Sequence, residues 1–317
     1  MAVSTTKRDA LLRYLESGDQ SGYTPAAFFL HFGEGYKFGK TAVDKHCEFF
    51  RFTGMDFVKI QFELDFPRVE VANSRRLREL PQFPAKFFEP QLEVVKGLVE
   101  ELKSEALVVL TLYSPFMILN DIVGAQNVIR YAQDDPESTR EGLESIAKSL
   151  LGFVRECAKI GLDGFYHSTQ GGEKHRFDSA ETFHKLVKPI DLKVMGEIGK
   201  TFPFNILHIC DYHEEYGGYA DLGPFLDYPG QVVNVTTEIG GKSLSSAEIS
   251  KIFGRPYMGG MNRLGPLATG SEQEVRAAAR QALAGAPARF ILGADCTVPA
   301  NTPWESLRAA IEEAHRP

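Results

Sequence analysis

The stretch Phe204-Asn-Ile-Leu-His-Ile-Cys-Asp211 has the composition of a short buried strand that ends in polar residues. Side chains two residues apart in a strand point to the same side, so His208 and Cys210 are expected to face one point in space. An imidazole and a thiolate are typical zinc ligands, but two ligands are too few for a site. A third candidate, Cys296, ends another apolar stretch, Phe290-Ile-Leu-Gly-Ala-Asp-Cys296. The interpretation of the chain depends on whether these three side chains meet.

Short apolar segments alternate with helical segments along the rest of the chain. We predict eight strands, at residues 23–31, 57–62, 106–113, 161–167, 204–211, 232–235, 255–260 and 289–293. Helical spacing is found at residues 7–15, 41–53, 90–103, 118–160, 179–200 and 272–284, and a last helix starts near Pro303. This alternation is the pattern of a closed (β/α)8 barrel, or TIM barrel. An open doubly wound sheet is the alternative, but no Gly-x-Gly-x-x-Gly motif follows the first strand.

The length, charge and cysteine content of the sequence limit the class of protein. No linker rich in Gly, Ser or Pro divides the 317 residues, so we expect one barrel domain over residues 1–317. A formal charge of −7 argues against nucleic acid as a partner. No apolar run approaches the roughly 18 residues of a membrane span, and no apolar segment follows the charges of residues 1–9, so we expect neither a membrane partner nor a secretory signal. Four cysteines in a chain of this length indicate free thiols and a cytoplasmic protein.

In a TIM barrel the working face lies at the carboxyl ends of the strands. His208 and Cys210 end the fifth predicted strand, and Cys296 lies just beyond the eighth. Glu63 follows the second strand and His167 ends the fourth, so the fold gathers all five residues at one mouth. The alternative is that the cysteines are buried as small apolar residues and that the histidine only satisfies a carbonyl group.

Several motifs are similar to those of the uroporphyrinogen decarboxylase superfamily, whose fold is a (β/α)8 barrel. They are Leu112-Tyr-Ser-Pro-Phe116, Gly161-Leu-Asp-Gly164, Leu207-His-Ile-Cys210, Gly259-Gly-Met-Asn-Arg-Leu-Gly-Pro-Leu267, Thr269-Gly-Ser-Glu-Gln-Glu-Val275 and Ile291-Leu-Gly-Ala-Asp-Cys-Thr-Val-Pro-Ala-Asn-Thr-Pro303. The resemblance covers nearly the whole chain from Tyr23 and is strongest after residue 200. It implies the same barrel fold.

Within that superfamily, His-x-Cys followed by a distant Cys is the zinc signature of the corrinoid-linked methyltransferases, such as the methylcobamide:coenzyme M methyltransferases. The chain resembles this branch at His208, Cys210 and Cys296. True decarboxylases carry an Arg-Gln-Ala-Gly-Arg-Tyr stretch for the porphyrinogen carboxylates, where this chain has His31-Phe-Gly-Glu-Gly-Tyr36. An acidic Glu34 in that loop would repel a polycarboxylate, which favours the methyltransferase branch.

The resemblance implies a Zn²⁺ cofactor, a corrinoid (methylcobamide) or corrinoid protein as methyl carrier, and a small-molecule thiol or related acceptor. Two thiolates and one imidazole leave one position open on a tetrahedral zinc, as in a catalytic site. A thiol bound there becomes a thiolate, which is the nucleophilic form. The superfamily places an acidic residue at the end of the second strand, so Glu63 is predicted as the resting fourth ligand. Glu34, Asp211, Glu238 and Asp295 remain alternatives, each of which could equally be a solvated loop charge.

Substrate contacts are expected at the same mouth. His167 and Gln170 lie where such contacts are predicted, although hydrogen bonding within the core or a loop would explain them as well. Tyr36 and Tyr113 are predicted to line the pocket. The predicted reaction is methyl transfer between a corrinoid and a zinc-activated thiol. A uroporphyrinogen decarboxylase-type carboxy-lyase and a non-catalytic barrel used as a binding subunit are the alternatives, and the methyl acceptor is left open.

Overall fold

The computed structural model describes residues 5–17 and 23–316, and residues 1–4, part of the amino-terminal stretch considered above for a secretory signal, lie outside these ranges. The strands are β1 (Phe57–Ile60), β2 (Leu107–Tyr113), β3 (Gly164–Thr169), β4 (Ile206–Ile209), β5 (Val232–Val235), β6 (Glu238–Ile239), β7 (Lys242–Ser243), β8 (Tyr257–Met261) and β9 (Ile291–Ala294). The helices are α1 (Lys7–Ser17), α2 (Gly39–Thr53), α3 (Ala85–Leu102), α4 (Pro115–Val123), α5 (Ala125–Asp134), α6 (Pro136–Ile160), α7 (Ala180–Thr182), α8 (Lys188–Thr201), α9 (Ser246–Phe253), α10 (Pro266–Thr269), α11 (Glu272–Ala284) and α12 (Trp304–Ala314).

Seven parallel strands form one curled sheet in the order β1-β2-β3-β4-β5-β8-β9. The strand order follows the chain order. Most neighbouring strands are connected through α-helices, whereas β4 and β5 are joined by a loop with two 3-10 turns, Glu214–Tyr216 and Gly223–Phe225. The short antiparallel hairpin β6–β7 was not predicted. Parallel strands covered by helices on the outside are buried on both faces, which explains their almost wholly apolar sequences. The architecture confirms the predicted TIM barrel.

The predicted first strand, at residues 23–31, closes the ring without forming a regular strand. Ala26 makes a single parallel bridge with Leu292 of β9. On its other side, the backbone N–H of Asp56, directly before β1, donates to the carbonyl of Ala26 at 2.9 Å, and a carboxylate oxygen of Asp56 accepts from the N–H of Ala26 at 2.7 Å. A side chain thus replaces one ladder hydrogen bond, so this segment is extended but only bridged.

The interior of the barrel is layered. Near the amino-terminal end, the ring of Phe57 packs edge-on against those of Phe29 and Phe204, with centroids 5.5 and 5.3 Å away. Below this layer α1 closes the barrel, where Arg8 makes a two-point ion pair with Asp163 at 2.7 Å. The apolar layer fills the lower half of the barrel interior, and the polar side chains that line the cavity lie at the carboxyl end. Among the described residues, no helix is long and apolar enough to cross a membrane.

Candidate metal centre

The three residues singled out by the sequence meet at the carboxyl end of the barrel. His208 is in β4, Cys210 follows β4 directly, and Cys296 lies two residues after β9. Their ligand atoms all lie within 4.8 Å of one another, and His208 Nε2 is 3.3 Å from Cys296 Sγ. A tetrahedral zinc with ordinary bond lengths places nitrogen and sulfur ligands about 3.6 Å apart and two sulfurs about 3.8 Å apart. The group therefore fits a zinc ion after small side-chain rotations.

The imidazole of His208 is held by its neighbours in the barrel. Its ring stacks on Tyr166 of β3, with centroids 4.8 Å apart and planes 28° apart. The Tyr166 hydroxyl donates to Asn234 Oδ1, and the Asn234 amide donates in turn to the carbonyls of Met258 and Ala294. This chain of contacts joins residues of β3, β5, β8 and β9 and fixes the tyrosine ring. It thereby restricts rotation of the imidazole and leaves Nε2 facing the cysteines.

The pKa values of the two cysteine thiols shift in opposite directions, which suits metal binding. Hydrogen bonding from Cys296 lowers the pKa of Cys210 well below its usual value, a shift that burial opposes and His208 reinforces. The hydrogen bond to Cys210 raises the pKa of Cys296, and burial and the negative charge of the Cys210 thiolate raise it further. Gln170 Nε2 also donates to Cys210 Sγ at 3.5 Å. A metal cation relieves the remaining repulsion by binding both sulfurs as thiolates.

An ion-pair network braces the loops that carry the cysteines. Arg263, which follows β8, reaches Asp211 at 3.2 Å and Asp295 at 3.3 Å. The Arg263 backbone N–H also donates to Asp295 at 2.7 Å. These two aspartates flank Cys210 and Cys296 in the sequence, so one guanidinium connects both ligand-bearing loops. Asp211 and Asp295, which the sequence left as alternative ligands, are engaged with this arginine.

The metal-ligand group lies in a cavity of about 670 Å³. The lining includes the predicted residues Tyr113 and Gln170, together with Lys59, Tyr166 and Arg263, which the sequence analysis did not single out. Burial raises the pKa of the Tyr113 hydroxyl, so it stays protonated at neutral pH. Arg263 lies within a motif quoted for the superfamily resemblance, and Lys59 is the lone charge in an apolar strand, so both left a signal in the sequence.

Three predicted site residues lie elsewhere. Glu63 Oε1 pairs with His31 Nδ1 at 2.9 Å and does not line the cavity. Tyr36 lies in the 3-10 turn Glu34–Tyr36, is 43% exposed, and does not line the cavity either. His167 is buried on the outer face of β3.

The placement of His167 follows from strand alternation. Tyr166 and Ser168 line the cavity, whereas the hydroxyl of Thr169 donates to Asp191 of α8. His167 shares its side with Thr169, so it faces the helices and not the cavity. Both ring nitrogens of His167 lack a hydrogen-bond partner among the described residues, and burial lowers its pKa to about 3. The imidazole is therefore neutral and packed in an apolar layer.

A parallel barrel with a His, Cys, Cys group at its carboxyl end is a TIM barrel with a candidate catalytic metal site. The sequence profile of the family "Uroporphyrinogen decarboxylase (URO-D)" matches residues 59–317. The chain belongs to the uroporphyrinogen decarboxylase family.

The chain is also similar to two individual proteins that are methyltransferases. A methylated-thiol–coenzyme M methyltransferase from Methanosarcina mazei is 22% identical over 230 residues, which are 70% of this chain and 57% of that relative. The chain therefore spans little more than half the length of this curated relative. The chain is also similar to a solved methyltransferase from Methanosarcina mazei, with a TM-score of 0.79, 15% identity and 98% coverage of both chains.

A more distant structural likeness has the same barrel. A B12-independent methionine synthase from Shewanella sp. has a TM-score of 0.59 and 12% identity, covering 92% of this chain and 97% of the other. A putative vitamin-B12 independent methionine synthase from Listeria monocytogenes has a TM-score of 0.58 and 14% identity, covering 92% and 96%. At these identities the likeness supports the fold.

Proposed function

We propose that the protein is a zinc-dependent methyltransferase that moves a methyl group between a corrinoid, free or protein-bound, and a small thiol or related acceptor. The observation that carries the proposal is the convergence of His208, Cys210 and Cys296 within 4.8 Å beside the cavity. The likeness to a methylated-thiol–coenzyme M methyltransferase supports the same reaction class.

The proposed division of labour follows from the contacts. His208, Cys210 and Cys296 hold the zinc, which when bound supplies an open position where a thiol loses its proton and becomes a nucleophile. Gln170 steadies Cys210 through its contact with the sulfur. Arg263 holds both cysteine loops at a fixed separation, and its charge is balanced by Asp211 and Asp295.

The remainder of the cavity suits a small substrate facing a larger methyl carrier. Tyr113 and Tyr166 give it aromatic walls, and Met117 adds an apolar contact. Tyr212 and Leu264, which line the same cavity, are 67% and 55% exposed, so apolar surface is present at its outer edge. Exposed apolar side chains beside a pocket are typical of a surface that receives a partner or a large ligand. We propose that the corrinoid approaches there.

The test is turnover with defined reactants. Zinc-loaded protein is mixed with methylcobalamin and, separately, a set of small thiols, and the appearance of Co(I) is followed by absorbance. Methyl transfer predicts Co(I) and methylated thiol in equal amounts, and both should disappear in metal-stripped protein and return with zinc. Decarboxylation of uroporphyrinogen by the metal-stripped protein would favour a carboxy-lyase instead. Failure of every thiol and of uroporphyrinogen to react would favour a binding subunit.

A further inference from the structure

A buried tyrosine holds the backbone of one of the metal-ligand residues. The hydroxyl of Tyr219 donates a hydrogen bond to the carbonyl of Cys210 at 2.6 Å. Tyr219 is 2% exposed, so water does not compete for this hydrogen bond. Its side chain does not line the cavity, and it reaches the metal-ligand group through the backbone of Cys210.

Cys210 is the residue at which the chain leaves the sheet. The paired register of β4 ends at Ile209, both with β3 and with β5. The N–H of Cys210 still donates to the carbonyl of Thr169 on β3, at 3.0 Å. The carbonyl of Cys210 lies beyond the paired register of β5, and the Tyr219 hydroxyl supplies its donor. Both backbone groups of Cys210 are therefore held, one by the sheet and the other by a side chain.

The hydrogen bond also closes a loop at its base. Between Cys210 and Tyr219, residues 211–218 pass over the mouth of the barrel, where Tyr212 and His213 line the cavity. Tyr212 is 67% exposed, so part of this loop faces solvent. A hydrogen bond between the two ends of the loop limits how far its movement can reach the Cys210 backbone.

Tyr219 is itself held from two sides. Its ring packs edge-on against that of Phe225, with centroids 5.4 Å apart, and Phe225 also contacts Phe183 and Tyr228. Its carbonyl accepts from the N–H of Gly240 at 2.8 Å, and Gly240 directly follows β6. The hairpin β6–β7 therefore supports the tyrosine that holds Cys210.

We propose that Tyr219 is a positioning residue of the metal centre, which fixes the Cys210 backbone so that the sulfur faces His208 and Cys296. The inference rests on the proposed function, because it assigns a further residue to the metal site that this function needs. A cysteine side chain is short, so the backbone of Cys210 determines where its sulfur lies. Partners that orient a metal ligand typically contribute about 10- to 100-fold to metal affinity.

The first test removes the hydroxyl and keeps the ring. Tyr219→Phe should bind zinc about 10- to 100-fold more weakly than wild-type protein, as measured by competition with a chelator of known affinity. Tyr257→Phe is the matched control, because the Tyr257 hydroxyl is also buried and donates to a barrel carbonyl, that of Val235, at 2.9 Å. This control loses the same kind of hydrogen bond and should keep the wild-type zinc affinity. Circular dichroism checks that both variants are folded.

Cobalt(II) in place of zinc separates positioning from a general loss of stability. Zinc has a filled d shell, whereas the visible absorption of cobalt(II) depends on the geometry of its ligands. The cobalt bands should shift in Tyr219→Phe and should coincide with those of wild-type protein in Tyr257→Phe. A protein that is only destabilised would bind less cobalt without any change in the position of the bands.

The hairpin gives a second test that does not alter Tyr219. Gly240 and Gly241 both have positive φ angles, of 61° and 74°, so alanine strains the backbone at either position. A Cβ at Gly240 would also lie 2.5 Å from the carbonyl oxygen of Ala220, whereas a Cβ at Gly241 meets nothing within 4 Å. Gly240→Ala should therefore move the hairpin away from Tyr219 and weaken zinc binding, whereas Gly241→Ala should not.

Alkylation of the metal-free protein separates this inference from the proposed function. Cys210 is 5% exposed, so iodoacetamide should modify it faster in Tyr219→Phe than in wild-type protein or in Tyr257→Phe, as followed by mass spectrometry. A wild-type protein that binds no zinc would overturn the proposed function, and the alkylation rates would still show whether Tyr219 positions Cys210. Wild-type zinc affinity and cobalt bands in Tyr219→Phe would overturn the inference. An equal loss of zinc affinity in Tyr257→Phe would overturn it as well.

Discussion

His208 Nε2 lies 3.3 Å from Cys296 Sγ, although 88 residues separate the two in the chain. The contact joins the carboxyl ends of β4 and β9, with Cys210 completing the group. Neither residue depends on a flexible loop tip, since His208 is within its strand and Cys296 is held beside Asp295, which Arg263 binds. Both side chains are therefore positioned by the barrel itself, as expected of a site built on a rigid scaffold.

Replacing either cysteine should abolish stable metal binding. Cys210→Ser and Cys296→Ser each remove one of the three proposed protein ligands. The loss of zinc affinity should exceed about 10- to 100-fold, which is the loss expected when a residue that hydrogen-bonds to a metal ligand is replaced. The zinc content of the purified protein, measured by elemental analysis, should fall from about one zinc per chain to a small fraction of that value. One zinc per chain is the content expected of a single three-ligand site. Cys47→Ser and Cys157→Ser are the controls, because both cysteines are buried away from the cavity. Equal zinc content in all four variants would contradict the assignment.

Glu63 as the resting fourth ligand stays a prediction. Its pairing with His31 offers the carboxylate an alternative partner, so Glu63→Gln should keep most of the zinc. If the carboxylate does occupy the open position at rest, the amide is displaced more easily, and small thiols should bind more tightly. Calorimetric titration measures both effects, with Glu34→Gln as an exposed acidic control. Unchanged thiol affinity would mean that Glu63 does not bind the metal.

A buried ion pair beside the site should matter for stability and for metal retention. Arg176 Nη2 lies 2.6 Å from Glu173 Oε1, both side chains are almost fully buried, and the Arg176 guanidinium lies 3.6 Å from the centroid of the Tyr216 ring. The contact of Arg176 with Tyr216 connects the loop after Gln170 to the loop after Cys210. Arg176→Met leaves Glu173 unpaired and should cost about 3–5 kcal/mol of unfolding free energy.

Thermal denaturation with and without zinc tests this prediction. The melting temperature of Arg176→Met should fall in both conditions, and the protein should also release zinc faster to a chelator. The exposed pair of Lys185 with Glu181 supplies the control, since Lys185→Met should change stability by no more than about 1 kcal/mol. A variant with unaltered melting and zinc release would show that the two loops are held by other contacts.

The buried carboxyl group of Asp191 should make the unfolding free energy depend on pH. It is fully buried in α8, and burial raises its pKa to about 7, although hydrogen bonds from Thr169 and Tyr228 oppose the shift. The folded protein holds a proton that the unfolded chain releases near pH 4. The stabilisation that the protonated Asp191 gives to the folded protein is therefore complete below about pH 4 and is lost as the pH rises to about 7.

Asp191→Asn keeps a neutral side chain at every pH and should remove that dependence. Its unfolding free energy should fall less than that of wild-type protein between about pH 4 and 8, a difference of at most about 4 kcal/mol for a shift of three pKa units. Urea denaturation at several pH values measures the two curves. Parallel curves would mean that Asp191 is ionised in the folded protein near its usual pKa.

Local periodicity was enough to predict the barrel and the three-residue group. Strand alternation places His208 and Cys210 on one side of their strand, and the barrel topology places Cys296 beside them. The same rule, applied to His167 and Gln170, shows that residues three apart on one strand cannot both face the cavity. The structure places Gln170 there and His167 outside.

Other features depend on contacts that no local pattern contains. The pairing of Glu63 with His31 joins two loops, and the bridged segment around Ala26 owes its form to the side chain of Asp56. Lys59 was visible as a charge in an apolar strand, but its lack of a carboxylate partner among the described residues emerges only from the assembled barrel.

Zinc-edge X-ray absorption with and without a small thiol tests the central claim most directly. Protein loaded with zinc should show one nitrogen and two sulfur ligands from His208, Cys210 and Cys296, plus one light-atom ligand. Adding thiol should replace the light atom by a third sulfur at about 2.3 Å. A first shell that is unchanged by thiol, or that contains fewer than two sulfurs at rest, would contradict the account.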